Sequence, residues 1–154
     1  MRKIGFPLLI VVLIVIDQIV KFWTVEHIPL GMVQDFIPNF MSLAYLRNYG
    51  AAYSMLQNQQ WFFIIVTIVV VTGLIVYYVK NNKGSMWLLF SLSLMIAGAL
   101  GNFIDRLRLG YVVDMFHFDF INFPIFNMAD SYLTVGVLCL LICILKEEND
   151  GSKS

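Results

Sequence analysis

The segment Trp61–Val79, WFFIIVTIVVVTGLIVYYV, carries no charged residue and is long enough to cross a hydrocarbon core. Its β-branched residues would favour a strand in water. A lone strand in lipid leaves its backbone polar groups unsatisfied, so this segment has to be a helix. Three more apolar runs of similar reach follow the same logic, at about 4–25, 86–104 and 125–145. Of all residues, 60% are apolar and 13% charged; soluble domains run near half and about a quarter. So much apolar surface cannot be hidden in a soluble domain of this length. The expected fold is therefore an integral membrane protein, mainly α, with four transmembrane helices in a single membrane domain, residues 1–154. Two long connections, 26–60 and 105–124, and a polar tail, 146–154, complete it. A formal net charge of zero argues against nucleic acid as a partner.

The first run follows Arg2 and Lys3 and begins like a signal peptide. No small-residue cleavage site comes after it, so it reads as an uncleaved first helix. Asp17 and Lys21 in its last third stand i,i+4 and can pair on one face. At that depth ionisable groups face protein or water.

In the first connection, Phe40–Leu46 alternates enough for a short strand. Arg47, Asn48 and Gly50 then read as a turn. The connection is apolar enough to form a small sheet resting on the membrane surface. Its aromatics (Phe36, Phe40, Tyr45, Tyr49, Tyr53 and Trp61) suit the headgroup level. Ser91, Ser93, Ala97, Gly98, Ala99 and Gly101 in the third run are small enough to let helices approach closely. Cys139 and Cys143 lie inside the fourth run and read as packing residues.

Basic residues orient the chain. The N-terminus, the turn KNNKGS at 80–85 and the tail hold Arg2, Lys3, Lys80, Lys83, Lys146 and Lys153. The positive-inside rule puts that side, with both termini, in the cytoplasm. Asp17, Asn48, Asp105, Asp114 and Asp130 then all fall at the extracytoplasmic edge, although none of them entered the orientation argument.

The chemistry narrows by elimination. There is no metal-binding helix of the H-E-x-x-H type. His27 and His117 each stand alone in the sequence, and His117 with Asp119 reads as an interfacial group in preference to a metal site. No serine shows a nucleophile pattern, Ser54, Ser91, Ser93 and Ser131 included. The acids remain: besides Glu26 and the tail they are Asp17, Asp35, Asp105, Asp114, Asp119 and Asp130. Two close aspartates share one proton, which supplies a base and an acid together. Asp114 and Asp130 come from different parts of the chain and can converge. Plainer roles compete at each position: a helix cap for Asp130, an ion pair for Asp17 with Lys21, and a local pair or helix-end cap for Asp105 with Arg106. Asp35 and Asp119 read as solvated loop residues. The residue pattern by itself fits a peptidase and a proton-coupled transporter alike.

Four motifs stand in order: Asp17-Gln18-Ile19-Val20-Lys21; Asn48-Tyr49-Gly50-Ala51-Ala52-Tyr53; Gly101-Asn102-Phe103-Ile104-Asp105-Arg106 continuing to Val112-Val113-Asp114; and Phe126-Asn127-Met128-Ala129-Asp130. The set resembles the prolipoprotein signal peptidase family, signal peptidase II of bacteria, over nearly the whole chain. The resemblance implies a membrane aspartyl endopeptidase of the bacterial plasma membrane. Such enzymes cut the signal peptide from a diacylglyceryl-modified prolipoprotein, just before the lipid-bearing cysteine. It implies Asp114 and Asp130 as the catalytic dyad. It implies supporting or substrate-binding roles for Asp17, Lys21, Asn48, Gly50, Asn102, Asp105, Arg106, Asn127 and Ala129. It also implies no metal and no organic cofactor, contact with membrane lipid, and inhibition by the cyclic peptide globomycin. Tyr53 departs from the Phe or Trp usual in the family, a mild change of ring. The small residues of the third run are then a place for a substrate helix to dock. Spans two and three hold no charge at mid-depth and no internal repeat is evident, which speaks against the transporter. A membrane assembly factor without activity would explain the composition but not the ordered motifs.

Overall fold

The structure is a computed structural model that describes residues 2–50 and 55–151. Ala51, Ala52, Tyr53, Ser54 and Lys153 lie outside the described residues. In chain order the elements are α1 (Arg2–His27), β1 (Val33–Ile37), β2 (Met41–Asn48), α2 (Gln60–Lys80), α3 (Met86–Leu109), β3 (Val112–Phe118) and α4 (Met128–Gly151). Among the described residues, four helices are long and apolar enough to cross a membrane, as the sequence led one to expect. Their outward residues are large and apolar: Leu8, Val11, Ile19, Val69, Val76 and Leu138 are all exposed. In water that surface would be a liability; against lipid tails it is the required exterior.

The third helix is the hub. In α3, 61% of the membrane window is buried, against 6% in α2. Helices α1, α2 and α4 all pack on α3, because α3 supplies the small residues. A side chain at Gly98 would run into the carbonyl oxygen of Ala129 on α4, and one at Gly101 would lie 2.7 Å from Asp17 Oδ2 on α1. This corrects the expectation that the small face is free for a substrate helix: at Gly98 and Gly101 the chain's own helices occupy it.

Helix α3 runs past the expected end at Ile104 and carries Asp105 and Arg106 within it. The first charges end the apolar run. Those charges find partners inside the protein, so the helix continues to Gly110, whose φ of 76° ends it in the left-handed conformation. Helix α4 starts at Met128, not Ile125, because Phe126 is held in extended pairing with Phe116. Asn127 therefore caps the helix from outside its first turn. At the other end α4 continues to Gly151, past the expected end at about 145; Lys146, Glu147 and Glu148 are good helix formers.

The three strands form one antiparallel sheet in the order β1-β2-β3. The expected strand is β2, but it extends through Arg47 and Asn48, which were read as a turn. Strands β1 and β3 were not anticipated, and Asp114 lies in the middle of β3. The pairing of β2 with β3 changes register. Met41, Ser42 and Leu43 face Phe118, His117 and Phe116, whereas Leu46, Arg47 and Asn48 face Asp114, Val113 and Val112. One extra residue on β2 is absorbed as a bulge between Leu43 and Leu46. Since side chains alternate across a strand, that one residue turns Asn48 to the same face as Asp114. On the opposite face, Tyr45, Val113 and Met115 form a small core with Ile28.

Candidate active site

The polar residues gather at one end of the helix bundle, beneath the sheet. Asp17, Lys21, Asn102, Asp105, Asp114 and Asn127 are all buried there. Lys21 sits between two acids, 3.0 Å from Asp17 Oδ2 and 2.9 Å from Asp105 Oδ2. The expected i,i+4 pair of Asp17 and Lys21 is therefore present. The expected local pair of Asp105 with Arg106 is not what forms: Asp105 points inward to Lys21 and accepts the Val113 backbone N–H at 3.1 Å. The Arg106 guanidinium lies instead over the Phe63 ring, 4.7 Å from its centroid, and donates to the Gly50 carbonyl at 3.3 Å. Neighbouring residues of a helix point in different directions, so i,i+1 charges seldom meet.

Both aspartates of the expected dyad have a donor on each oxygen. Asp114 accepts from Asn48 Nδ2 at 2.9 Å and Asn127 Nδ2 at 2.7 Å. Asp130 accepts from Asn102 Nδ2 at 2.7 Å and from the Asn127 backbone N–H at 3.1 Å. Asn127 Oδ1 in turn accepts the Asp130 backbone N–H at 3.0 Å, a reciprocal cap at the start of α4. Asn127 thus joins the two acids and fixes the first turn that carries one of them. Ala129 is fully buried, and its N–H donates to Asp17 Oδ1 at 3.0 Å, tying α4 to α1. Gly50 donates to Asn48 Oδ1 at 2.9 Å, and any side chain on it would strike the Met55 carbonyl. The Asn58 N–H donates to the Tyr49 carbonyl at 2.9 Å.

Both acids line a cavity of about 730 Å³. Val66, Thr67 and Val70 of α2 form one wall, and Leu133, Thr134 and Val135 of α4 the other. Helices α2 and α4 pack on α3 but not along each other, which leaves the cavity between them. Asp114 is 1% exposed. Burial raises its pKa from the ordinary 3.8 to about 7; the charge of Asp130 pushes the same way, and the hydrogen bonds from Asn48 and Asn127 oppose it. Asp114 therefore feels the charge of Asp130.

In the sequence Gln18 stands out only as a member of the first motif. Its amide donates to Asp105 Oδ1 at 3.0 Å, Asp17 Oδ2 at 3.1 Å and the Gly101 carbonyl at 3.3 Å. Its place beside Asp17 and three positions before Lys21 was the available signal. His117 Nδ1 lies 3.2 Å from Asp119 Oδ1, which also accepts from Ser42 Oγ at 2.7 Å. Neither His117 nor Asp119 lines the cavity. Asp119, expected to be solvated, is tied to the sheet. Among the described residues no group of three or more His, Cys, Asp or Glu is placed to hold a metal.

Four membrane-length helices with two aspartates on the wall of one cavity define a small polytopic membrane protein. Solved structures agree with the fold. One bacterial membrane enzyme, determined by the in meso method at 2.3 Å, superposes with a TM-score of 0.91 at 37% identity, covering 96% of this chain and 92% of its own. A second, at 1.9 Å, gives 0.86 at 38% identity, covering 93% and 94%. Residues 9–146 match the family described as signal peptidase (SPase) II. A lipoprotein signal peptidase of Streptococcus agalactiae serotype Ia is 61% identical over 99% of each chain. One from Streptococcus pyogenes serotype M1 is 53% identical over 99% of this chain and 100% of its own. The chain belongs to the signal peptidase II family.

Proposed function

We propose that the protein is an aspartyl endopeptidase that removes the signal peptide from diacylglyceryl-modified prolipoproteins, with Asp114 and Asp130 as the catalytic pair. The observation that carries this reading is the pair itself: two acids from separate elements, each with both oxygens held by donors, on the wall of one cavity. Whole-chain likeness to proteins named lipoprotein signal peptidase supports the substrate class.

The chemistry needs one proton on the pair. The ionised carboxylate takes a proton from water as the water oxygen bonds to the scissile carbonyl carbon. The protonated partner gives its proton to the carbonyl oxygen, leaving a neutral gem-diol. On collapse the first acid returns its proton to the amide nitrogen, the C–N bond breaks, and one diol proton goes back to the second acid. The products are a signal peptide ending in a carboxyl group and a lipidated cysteine with a free amine. No metal or organic cofactor enters these steps. Asp17, Lys21, Asn48, Gly50, Asn102, Asp105, Arg106, Asn127 and Ala129 hold this geometry or the substrate backbone. The walls of α2 and α4 receive apolar parts of the substrate, and membrane lipid surrounds the rest. In our reading residues 1–154 are one membrane domain of the bacterial plasma membrane. Both termini are cytoplasmic and the site lies near the extracytoplasmic face, where a signal helix ends.

Purified protein is expected to cleave a diacylglyceryl-modified prolipoprotein, to leave the unlipidated form uncut, and to be blocked by globomycin. Equal cleavage of the unlipidated form would remove the proposed specificity. The pH profile offers a second check. With its pKa near 7, Asp114 keeps the shared proton below that value and loses it above. Activity should therefore fall as pH rises through about 7, read from initial rates between pH 5 and about 9. Stability has the same sign. The folded state holds a proton on Asp114 that the unfolded chain releases, so stability declines from the ordinary 3.8 up to about 7.

A further inference from the structure

In the scheme above Lys21 only helps to hold the geometry, yet its contacts lead through Asn102 to Asp130. An ammonium has three donors. Lys21 has three acceptors: Asp17 Oδ2, Asp105 Oδ2, and Asn102 Oδ1 at 3.1 Å. Asn102 Oδ1 also accepts from Asn127 Nδ2 at 3.1 Å. With two donors on its oxygen, the Asn102 amide has one orientation, and its NH2 points at Asp130 Oδ1, 2.7 Å away. Turned over, it would set oxygen against carboxylate and NH2 against ammonium.

The surroundings of the two acids differ accordingly. Asp130 lies in the first turn of α4, where the helix dipole favours negative charge, and accepts a backbone N–H there. Asp114 lies on a strand and receives only neutral side-chain amides. The charged groups around Asp130 are Lys21 and, behind it, Asp17 from α1; Asp105 and Arg106 from α3; and Asp114 from β3. Helix α2 lines the cavity with Val66, Thr67 and Val70 and brings no charge to it.

We propose that Lys21 is a positioning residue that sets the division of labour in the pair: acting through Asn102, it makes Asp130 the ionised, water-activating partner and leaves the shared proton on Asp114. This rests on the aspartyl reading above. In the first step the water proton goes to Asp130 while the Asp114 proton goes to the carbonyl oxygen.

The test is the pH dependence of kcat and KM on a lipidated prolipoprotein. Lys21→Met leaves two buried acids without their cation, so a charge-matched double variant, Asp17→Asn with Lys21→Met, is measured beside it. In the wild type Asp17, Lys21 and Asp105 sum to −1, and in the double variant Asp105 alone is −1. In either variant kcat is expected to fall roughly tenfold to a hundredfold at the wild-type optimum, with KM little changed. The acid limb of kcat should move up by about one pH unit, because Asp130 has lost the support that keeps it ionised. Lys21→Arg, which keeps the charge and the donors, should return the limb toward its wild-type position. A kcat lowered equally at every pH, or left unchanged, overturns the proposal. Infrared difference spectra give a reading that needs no Lys21 variant. The band of the protonated carboxyl at the optimum pH is expected to vanish in Asp114→Asn, and its persistence there would also overturn the proposal. If wild-type protein leaves the lipidated substrate uncut, the aspartyl reading itself falls. If the wild type cuts and the variant limb stays in place, only the role given to Lys21 falls.

Discussion

Asp114→Asn and Asp130→Asn are each expected to abolish cleavage of a lipidated prolipoprotein, with kcat lower by roughly 10³-fold or more and the protein still folded. The argument is about protons. An amide has the shape of the acid but can neither take a proton from water nor give one to the carbonyl oxygen, so either replacement stops a step that the other acid cannot perform alone. The fold tolerates the change because the carboxylate is a stability burden at Asp114: burial and the Asp130 charge both work against its ionised form. Removing that charge relieves the repulsion. The amide introduces one mismatch, since its NH2 must meet Asn48 Nδ2 or Asn127 Nδ2, both of them donors. One poorly matched hydrogen bond costs about 1–3 kcal/mol, which offsets the relief without exceeding it greatly. Thermal unfolding in detergent should therefore stay within a few degrees of wild type for the Asp114 variant. Full cleavage by either variant would remove the dyad assignment.

Membrane character was legible because lipid leaves so few choices. A long uncharged run must be a helix, and its ends can be read to within a few residues where charge and turn residues interrupt it. The reading failed where partners came from elsewhere in the chain. Asp105 and Arg106 look like the end of a membrane span until Lys21, some eighty positions earlier, is seen beside Asp105. Strand β3 was missed because Val112–Phe118 is short and is bounded by a helix that runs longer than its apolar run. Its identity as a strand depends on β2 opposite. The bulge in β2 is the extreme case. No local signal announces it, yet it decides whether Asn48 faces Asp114 or the Tyr45 core. The acids themselves were legible as an ordered set of motifs, because buried charge in a lipid environment is rare without a function. Their mutual arrangement was not, since it depends on Asn127 bonding at once to Asp114, Asn102 and the Asp130 backbone.

Gly98→Ala is expected to damage both stability and activity. In an exposed helix the same change stabilises by about 1 kcal/mol through helix propensity, and Gly73→Ala on α2, where nothing lies within 4 Å, is expected to show that gain or no change. At Gly98 the new methyl meets the carbonyl oxygen of Ala129, with Leu133 Cγ at 2.8 Å and its backbone nitrogen at 3.0 Å. Two of these three atoms are backbone, so no rotamer change relieves the clash and the start of α4 has to move away from α3. Overpacking of this kind costs typically 1–3 kcal/mol, more than the propensity gain. The displaced turn carries Asp130, the next residue after Ala129, and holds the Ala129 bond to Asp17. A shift near 1 Å in a reacting group lowers rates on the order of 10²-fold. The loss in activity should therefore exceed what the drop in melting temperature would suggest, and it should appear first in kcat, because the displaced turn carries Asp130 while the α2 wall of Val66, Thr67 and Val70 is untouched. Melting curves and initial rates for Gly98→Ala and Gly73→Ala, measured side by side, decide it. A Gly98→Ala protein as stable and active as wild type would mean that the α3–α4 contact does not set the position of Asp130.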